Sequence, residues 1–397
     1  MELKRRLRRI FLFQSLQNMF FLNAIWVIFL LEKGITLTFV AIMDVIFWLT
    51  MFLFEIPTGV IADRFGRKVS VITGLLIVSF GIFIFGISND IPRILFSYVI
   101  WALGLTFISG AAEAFFYDTV KILGHERDWA AIFGRISLIG SLSIATATII
   151  GGLLGGISLQ LPIFVTSIFG LLAIIPLLTL PEPRISETVL EQEENYTDSP
   201  LRASIQIILN SRVVILLILF QILFTAFLSA FYIFQQPYLQ NQGLSIELIG
   251  LMIGINTVIR AIGASFVASY NRLIGKYSLF VLGYIITIII FLLGVGEGGG
   301  ILILVIFSIR SFFQGMYYPL LSTYLNKEIP SKYRASVLSI SNALSTLFLA
   351  ITEPLAGILA DNSSISFTLT LMASIVFLSI IPIVCLWKGS LKVFNSK

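Results

Sequence analysis

Between two hydrophobic runs lies the polar stretch Glu55-Ile56-Pro57-Thr58-Gly59-Val60-Ile61-Ala62-Asp63-Arg64-Phe65-Gly66-Arg67-Lys68. It holds five ionisable side chains in fourteen residues, in a chain that is only 12% charged. Charged groups are costly in apolar surroundings, so these side chains must lie where water or a partner satisfies them. The stretch therefore predicts a hinge or gate between two membrane helices.

The composition predicts an integral membrane protein. Of 397 residues, 57% are hydrophobic and 35 are Phe, whereas soluble domains are about half apolar and about a quarter charged. A membrane helix needs about 20 apolar residues, and such runs are too long for barrel strands. We therefore expect an all-α membrane protein with twelve transmembrane helices. The predicted runs are 10–31, 36–62, 69–88, 92–118, 130–156, 159–180, 212–238, 245–269, 278–296, 300–325, 334–360 and 364–387.

A polar segment divides these runs into two halves. We predict a first six-helix bundle over 1–180, a cytoplasmic linker over 181–211 and a second bundle over 212–397. The linker carries an acidic tract and ends in a short amphipathic segment, which predicts an interfacial helix. The two halves are also similar in sequence, since Gly152 and Gly357 lie near the ends of corresponding predicted helices. Such duplication is typical of secondary transporters, and we expect two pseudo-symmetric bundles.

The basic residues predict the orientation in the membrane. With a cytoplasmic N-terminus, the loops on the opposite face hold only Lys33 and Arg93, and the remaining basic loops are cytoplasmic. This follows the positive-inside rule and places both termini in the cytoplasm, in a multi-pass protein of the plasma membrane. The net charge of +5 is thereby explained by topology, so we expect no nucleic-acid partner.

The residues that could support other chemistry are few. Cys385 and His125 each occur once in the chain, whereas a metal site needs three or four ligands. No phosphate-binding G-x-x-x-x-G-K-[ST] loop is present. We therefore expect no catalytic residues, no metal and no cofactor, and a protein that is not an enzyme.

The central stretch resembles a family signature. Gly59, Asp63, Arg64, Gly66, Arg67 and Lys68 match all six fixed positions of G-x-x-x-D-R-x-G-R-K, the loop signature of the major facilitator superfamily. Two further stretches, Glu55-Ile-Pro and Ser109 to Asp118, resemble bacterial drug-efflux members of the macrolide-efflux-like type. The resemblance implies a transporter of two six-helix bundles.

Each residue of the signature has an expected physical role in gating. Gly59 permits close helix packing, and Arg64, Gly66, Arg67 and Lys68 form the basic loop. Asp63 is expected to hold the amino end of the helix at 331–334, as a latch between the bundles. Asp118 is the expected partner of Arg67, an arrangement that the resemblance also implies.

Ionisable residues inside the predicted helices are candidates for proton coupling. Asp44 and Glu55 are eleven residues apart and should share one helix face. Glu113, Arg260, Arg310 and Glu353 are expected to complete a buried set. Because a desolvated carboxylate binds a proton more readily, such groups can exchange protons during transport. The proton-coupling candidates are Asp44, Glu113, Arg310, Glu55 and Glu353.

Other polar and aromatic residues are candidates to bind substrate. They lie in predicted helices that face a central cavity, and their mixed character suits an apolar or cationic compound. The substrate-binding candidates are Asn23, Trp26, Tyr232, Gln236, Asn256 and Tyr317.

The sequence thus predicts a monomeric secondary active transporter that works by alternating access in the lipid bilayer. Its expected activity is proton-coupled efflux of hydrophobic or cationic small molecules. One alternative is uptake or facilitated diffusion of a metabolite, because Ala147-Thr148 replaces the Gly-Pro of the antiporter pattern. Another is a lipid flippase or a ligand-binding membrane receptor.

Overall fold

A computed structural model describes residues 2–183, 200–296 and 301–394. All regular elements in these ranges are helices. In the first part of the chain they are α1 (Glu2–Gln17), α2 (Trp26–Glu32), α3 (Leu37–Phe65), α4 (Arg67–Ile87), α5 (Ile91–Ile122), α6 (Trp129–Ile157), α7 (Gln160–Leu172) and α8 (Ile174–Leu178). The later helices are α9 (Pro200–Asn210), α10 (Arg212–Asn241), α11 (Ile246–Ser265), α12 (Val267–Ile274), α13 (Ser278–Val295), α14 (Ile301–Glu328), α15 (Arg334–Asn362) and α16 (Ile365–Phe394).

The all-α membrane fold is confirmed. Ten helical segments among the described residues are long and apolar enough to cross a membrane. The two other predicted runs are 10–31, which the structure divides, and 300–325, which lies mostly in α14. Twelve spans are therefore compatible with the structure. The acidic tract of the predicted linker lies outside the described residues.

The first predicted run, 10–31, is not one helix. It consists of α1, a 3₁₀ turn at Phe21–Ala24 and α2. The Asn18 side chain donates to the Gln14 carbonyl at 2.8 Å and competes with the helix where α1 ends. The turn then packs on α6, where a Cβ on Gly151 would lie 2.0 Å from the Phe21 carbonyl oxygen.

The described contacts divide the chain into two compact units. Unit 1 comprises Met1–Ile35, Met43–Thr188 and Leu244–Val258, and unit 2 comprises Thr36–Ile42, Val189–Gly243 and Ile259–Lys397. Each unit therefore includes a short piece of the other sequence half. The sequence boundaries at 180 and 212 stay a prediction.

Glycines allow α4 and α5 to pack closely in unit 1. A Cβ on Gly74 would lie 2.6 Å from the Gly104 carbonyl oxygen, and one on Gly81 would lie 2.7 Å from the backbone nitrogen of Trp101. Backbones can approach this closely only where side chains are small, as is common between membrane helices. This crossing fixes α5, which carries Asp118, against the start of α4.

Buried aromatic residues fill the centre of unit 2. Phe220, Phe224 and Tyr317 are almost fully buried, and the Phe224 and Tyr317 rings lie 4.8 Å apart. Gln221 joins this layer to α15, because its side chain donates to Asn342 Oδ1 at 3.0 Å and accepts from the Ser341 hydroxyl at 2.8 Å. The contacts hold α10, α14 and α15 in a defined arrangement.

Candidate functional site

The signature loop turns between α3 and α4 at Gly66. Gly66 has φ = +101°, a conformation that side chains other than glycine rarely adopt. The second half contains a weakly similar stretch, Asn271-Arg272-Leu273-Ile274-Gly275-Lys276, in which Gly275 also has a positive φ, of +72°. The two similar stretches therefore share a glycine with a positive φ.

Arg67 forms an ion pair with Asp118. The Arg67 guanidinium donates to Asp118 Oδ2, from the first residue of α4 to the end of α5. The Asp118 side chain is 5% exposed and that of Arg67 is 30% exposed. Removing Arg67 would leave a buried carboxylate without its counter-charge, so we expect loss of this partner to destabilise the α4–α5 crossing. The contact expected from the sequence is present, whereas its role in gating remains a prediction.

Glu182 holds the same loop from the other side, and sequence reasoning missed it. The Lys68 backbone nitrogen donates to Glu182 Oε2 at 3.1 Å, and Lys68 Nζ donates to the Leu180 carbonyl at 2.7 Å. A carboxylate at the amino end of α4 accepts from its free N–H groups. The sequence feature that could have indicated this contact is the position of Glu182, an acidic residue just after the sixth apolar run, 159–180.

A pocket of about 230 Å³ lies between α3 and α5, beside the ion pair. Glu55, Gly59, Asp63 and Arg67 line it, so it brings together four of the predicted site residues. Glu55 and Asp63 are exposed. Among the described residues, no atom lies within 4 Å of a Cβ built on Gly59. The close packing predicted for Gly59 is therefore not made in this conformation.

Arg64 is exposed at the end of α3. Its guanidinium lies over the Phe65 ring, 5.6 Å from the centroid. The Asp63 latch and the gating role of Arg64 stay predictions.

Asp44 lies in an aromatic environment in unit 1. It is half-buried, and its Oδ2 accepts from Trp48 Nε1 at 2.9 Å. Phe47 packs edge-on against Trp48 and against Trp101, with centroids 5.3 Å apart. This arrangement places a carboxylate next to a large aromatic surface.

The predicted buried set is only partly buried. Arg310 is 5% exposed and Glu353 is 0% exposed, but Glu55, Glu113 and Arg260 are exposed. The prediction of burial is wrong for these three, because helical spacing shows which residues share a face and not what covers that face. Arg310 is also a poor proton carrier, since a guanidinium keeps its proton at physiological pH.

The substrate candidates are distributed over both units. In unit 1, Asn23 is half-buried, and Trp26 and Asn256 are buried. The Asn256 amide oxygen has no hydrogen-bond partner in the described part of the chain. In unit 2, Tyr232 is 41% exposed, whereas Gln236 and Tyr317 are 0% exposed. Tyr317 lies 3.4 Å from the Thr225 hydroxyl and contributes to the aromatic layer.

Asp361 caps α3, a contact that the sequence did not predict. Its carboxylate accepts from the backbone nitrogens of Leu37 at 3.0 Å and Thr38 at 2.9 Å, and from the Thr38 hydroxyl at 2.6 Å. Three donors at a helix amino end form a good site for a carboxylate. Thr38 belongs to the first sequence half and Asp361 to the second.

The corresponding glycines Gly152 and Gly357 each pack against a residue of the other sequence half. A Cβ on Gly357 would lie 2.6 Å from Thr38 Cα, in unit 2. In unit 1, a Cβ on Gly152 would lie 2.7 Å from Gly250 Cα. Each glycine allows a helix of its own half to lie against a helix of the other half, which explains why each unit includes a piece of both.

Comparisons with known proteins agree with this architecture. The Major Facilitator Superfamily model matches residues 10–351 and 229–392. YxaM of Bacillus subtilis, an uncharacterized MFS-type transporter, is 25% identical over 380 residues, which cover 91% of this chain and 90% of YxaM. Multidrug resistance protein 1 of the same bacterium is 31% identical over 153 residues, only 38% of each chain.

Solved transporters share the fold. The crystal structure of the nucleoside transporter NupG superposes with a TM-score of 0.80, covering 98% of this chain and 100% of NupG, at 13% identity. A bacterial homolog of the human lysosomal transporter Spinster gives a TM-score of 0.71 at 14% identity, covering 97% of this chain and 94% of its own. At these identities the likeness shows the fold alone. The chain is a multi-pass, non-enzymatic membrane transporter of small molecules and belongs to the Major Facilitator Superfamily.

Proposed function

We propose that the protein is a secondary active transporter that exports hydrophobic small molecules in exchange for protons. The observation that carries this proposal is Asp44, a half-buried carboxylate that accepts from Trp48 Nε1 at 2.9 Å. A carboxylate in partly apolar surroundings can take up and release a proton as its access to water changes. The adjacent aromatic rings offer contact area to an apolar compound. Aromatic rings alone would also accept an organic cation.

The proposed mechanism is alternating access between two latched states. Asp361 stabilises one state by capping α3, and Asp63, exposed at the opposite end of the same helix, latches the other. The two latches act at opposite ends of α3. In this mechanism each state has the contacts of one latch and lacks those of the other. We place the protein in the plasma membrane as a monomer with both termini in the cytoplasm. The macrolide-efflux-like type remains part of this proposal.

Uptake is the second candidate direction. The observation that favours it is the unbroken helix α6, in which Thr148 Oγ1 donates to the Ile144 carbonyl at 2.7 Å where the antiporter pattern has a proline. An intact helix at this position lacks the kink that proline introduces.

Export can be tested in a pump-deficient bacterium loaded with three dansyl compounds that differ in charge. They are uncharged dansylglycinamide, cationic dansyl-ethylenediamine and anionic dansylglycine. Expression of the protein should accelerate efflux of at least one compound, and a protonophore should abolish the effect. Accumulation that rises with expression would establish uptake instead.

A further inference from the structure

Arg310 is a buried cation between α14 and α10. Its side chain is 5% exposed. The guanidinium carbon lies 4.1 Å from the centroid of the Phe231 ring and 5.6 Å from that of Phe307. One terminal nitrogen donates to Ser311 Oγ at 3.3 Å. Aromatic rings on two helices therefore flank the charge, with one weak polar contact.

Arg310 has no counter-ion in the described ranges. The ion pairs found there join other residues, and the Arg310 Nε has no hydrogen-bond partner. An unpaired buried charge is costly, and ionisable groups inside membrane helices generally pair with one another or contact a ligand. The cation–π contact with Phe231 offsets part of this cost and leaves the Nε donor unused.

A second guanidinium reinforces the positive charge. Arg260 lies on α11, in the same unit as Arg310 on α14. The two helices cross closely, because a Cβ on Gly315 would lie 1.9 Å from the Arg260 carbonyl oxygen and one on Gly263 would lie 1.9 Å from that of Phe312. The close crossing fixes Arg260 beside α14. Arg260 therefore adds a second positive charge on the helix that crosses α14, and an anion bound at Arg310 would be attracted by both charges.

We propose that Arg310, assisted by Arg260, binds the carboxylate or phosphate group of an anionic, amphipathic substrate. The unused Nε, together with a terminal nitrogen of the same guanidinium, matches the two oxygens of such a group. The apolar part of the substrate would contact Phe231 and Phe307. This assignment rests on the proposed transport function and replaces the cationic class that aromatic residues alone would favour.

Binding of the three dansyl compounds to the purified protein in phosphatidylcholine nanodiscs tests the charge preference. Dansylglycine and dansylglycinamide differ only in the charged group. Dansylglycine should bind about 10- to 100-fold more tightly, as expected for a hydrogen bond to a charged group. Equal or tighter binding of dansylglycinamide or dansyl-ethylenediamine would overturn the assignment.

Arginine variants locate the anion site. Arg310→Gln should abolish the preference for dansylglycine while dansylglycinamide still binds, and Arg310→Lys should keep part of it. Arg260→Gln should weaken it about 2- to 5-fold, because Arg260 is exposed and its charge is screened. The matched control is Arg272→Gln, which removes an exposed arginine of the same unit and should change nothing. An unchanged preference in Arg310→Gln would refute the site.

Two further measurements separate this inference from its alternatives. Phosphatidylglycerol added to the nanodiscs should leave dansylglycine affinity within about twofold, because one exposed arginine and one buried arginine form no broad basic surface. Strong competition would assign the site to a lipid headgroup and overturn the substrate assignment. Dansylglycine binding without any flux in vesicles would contradict the transport proposal and leave the anion site standing.

Discussion

Replacing Asp361 with alanine removes the carboxylate that caps α3. Three donors lose their acceptor, namely the Leu37 and Thr38 backbone nitrogens and the Thr38 hydroxyl, at 3.0, 2.9 and 2.6 Å. Loss of a helix cap costs about 0.5–2 kcal/mol, and a hydrogen bond to a hydroxyl adds about 1 kcal/mol. Because most of this contact is exposed to solvent, we expect a total of about 2 kcal/mol.

If the cap exists in one transport state only, its loss changes the ratio of the two states by roughly 30-fold. Asp361→Asn is a milder comparison, since asparagine keeps one of the two accepting oxygens. It loses the charge–dipole contribution of about 0.3–1 kcal/mol and one hydrogen bond of about 1 kcal/mol. We therefore expect a roughly tenfold change for Asp361→Asn, smaller than that for Asp361→Ala.

Cysteine labelling measures this shift. The free and exposed Cys385 is first replaced by serine, and one reporter cysteine is introduced at Ala41 or at Ala145, which are 0% and 3% exposed. Ala41 lies in the first turns of α3. Ala145 lies on α6, where its carbonyl oxygen would be 2.8 Å from a Cβ on Gly254. A membrane-impermeant maleimide added outside intact cells reports opening at either position.

Asp361→Ala should accelerate labelling of both reporters by about the same factor, because one rocking motion exposes both. Faster labelling of Ala41→Cys alone would mean that only the end of α3 frays. Unchanged labelling of both would refute the role of Asp361 as a latch.

Three further experiments test other parts of the account. Asp44→Asn should abolish proton-driven flux but spare ligand binding, measured by flux and by equilibrium binding; retained flux would move the proton site to another carboxylate, with Glu113→Gln tested next. Asp63→Asn should weaken the opposite latch and increase labelling of cytoplasmic cavity positions, and unchanged labelling would remove Asp63 from gating. Arg67→Gln and Asp118→Asn should each lower the melting temperature, with a coupling free energy of about 1–3 kcal/mol in a double-mutant cycle; additive effects would contradict a stabilising ion pair.

Local patterns in the sequence predicted the membrane helices and the signature loop. Apolar runs mark helices because the bilayer demands them, and the loop signature marks the turn that Gly66 makes with φ = +101°. The Arg67–Asp118 contact followed from an acid opposite a basic loop. These features depend on residues close to one another or on charges that need a partner.

Other features depend on contacts that no local pattern contains. Asp361 caps a helix that begins 324 residues earlier, and Glu182 reaches back 114 residues to Lys68. The break after α1 arises where Phe21 packs on Gly151. The exposure of Glu113 depends on which surfaces its helix covers. Tertiary packing decides each of these, so hydrophobic periodicity could not predict them.

Proton-coupled flux in inside-out proteoliposomes decides whether the protein exports its substrate. With an acidic lumen, an exporter moves protons outward and accumulates substrate inside. The account predicts that an imposed acidic lumen drives uptake of dansylglycine into these vesicles, and that Asp44→Asn removes the pH-driven component while counterflow persists. Wild-type flux that is independent of the pH gradient would contradict it.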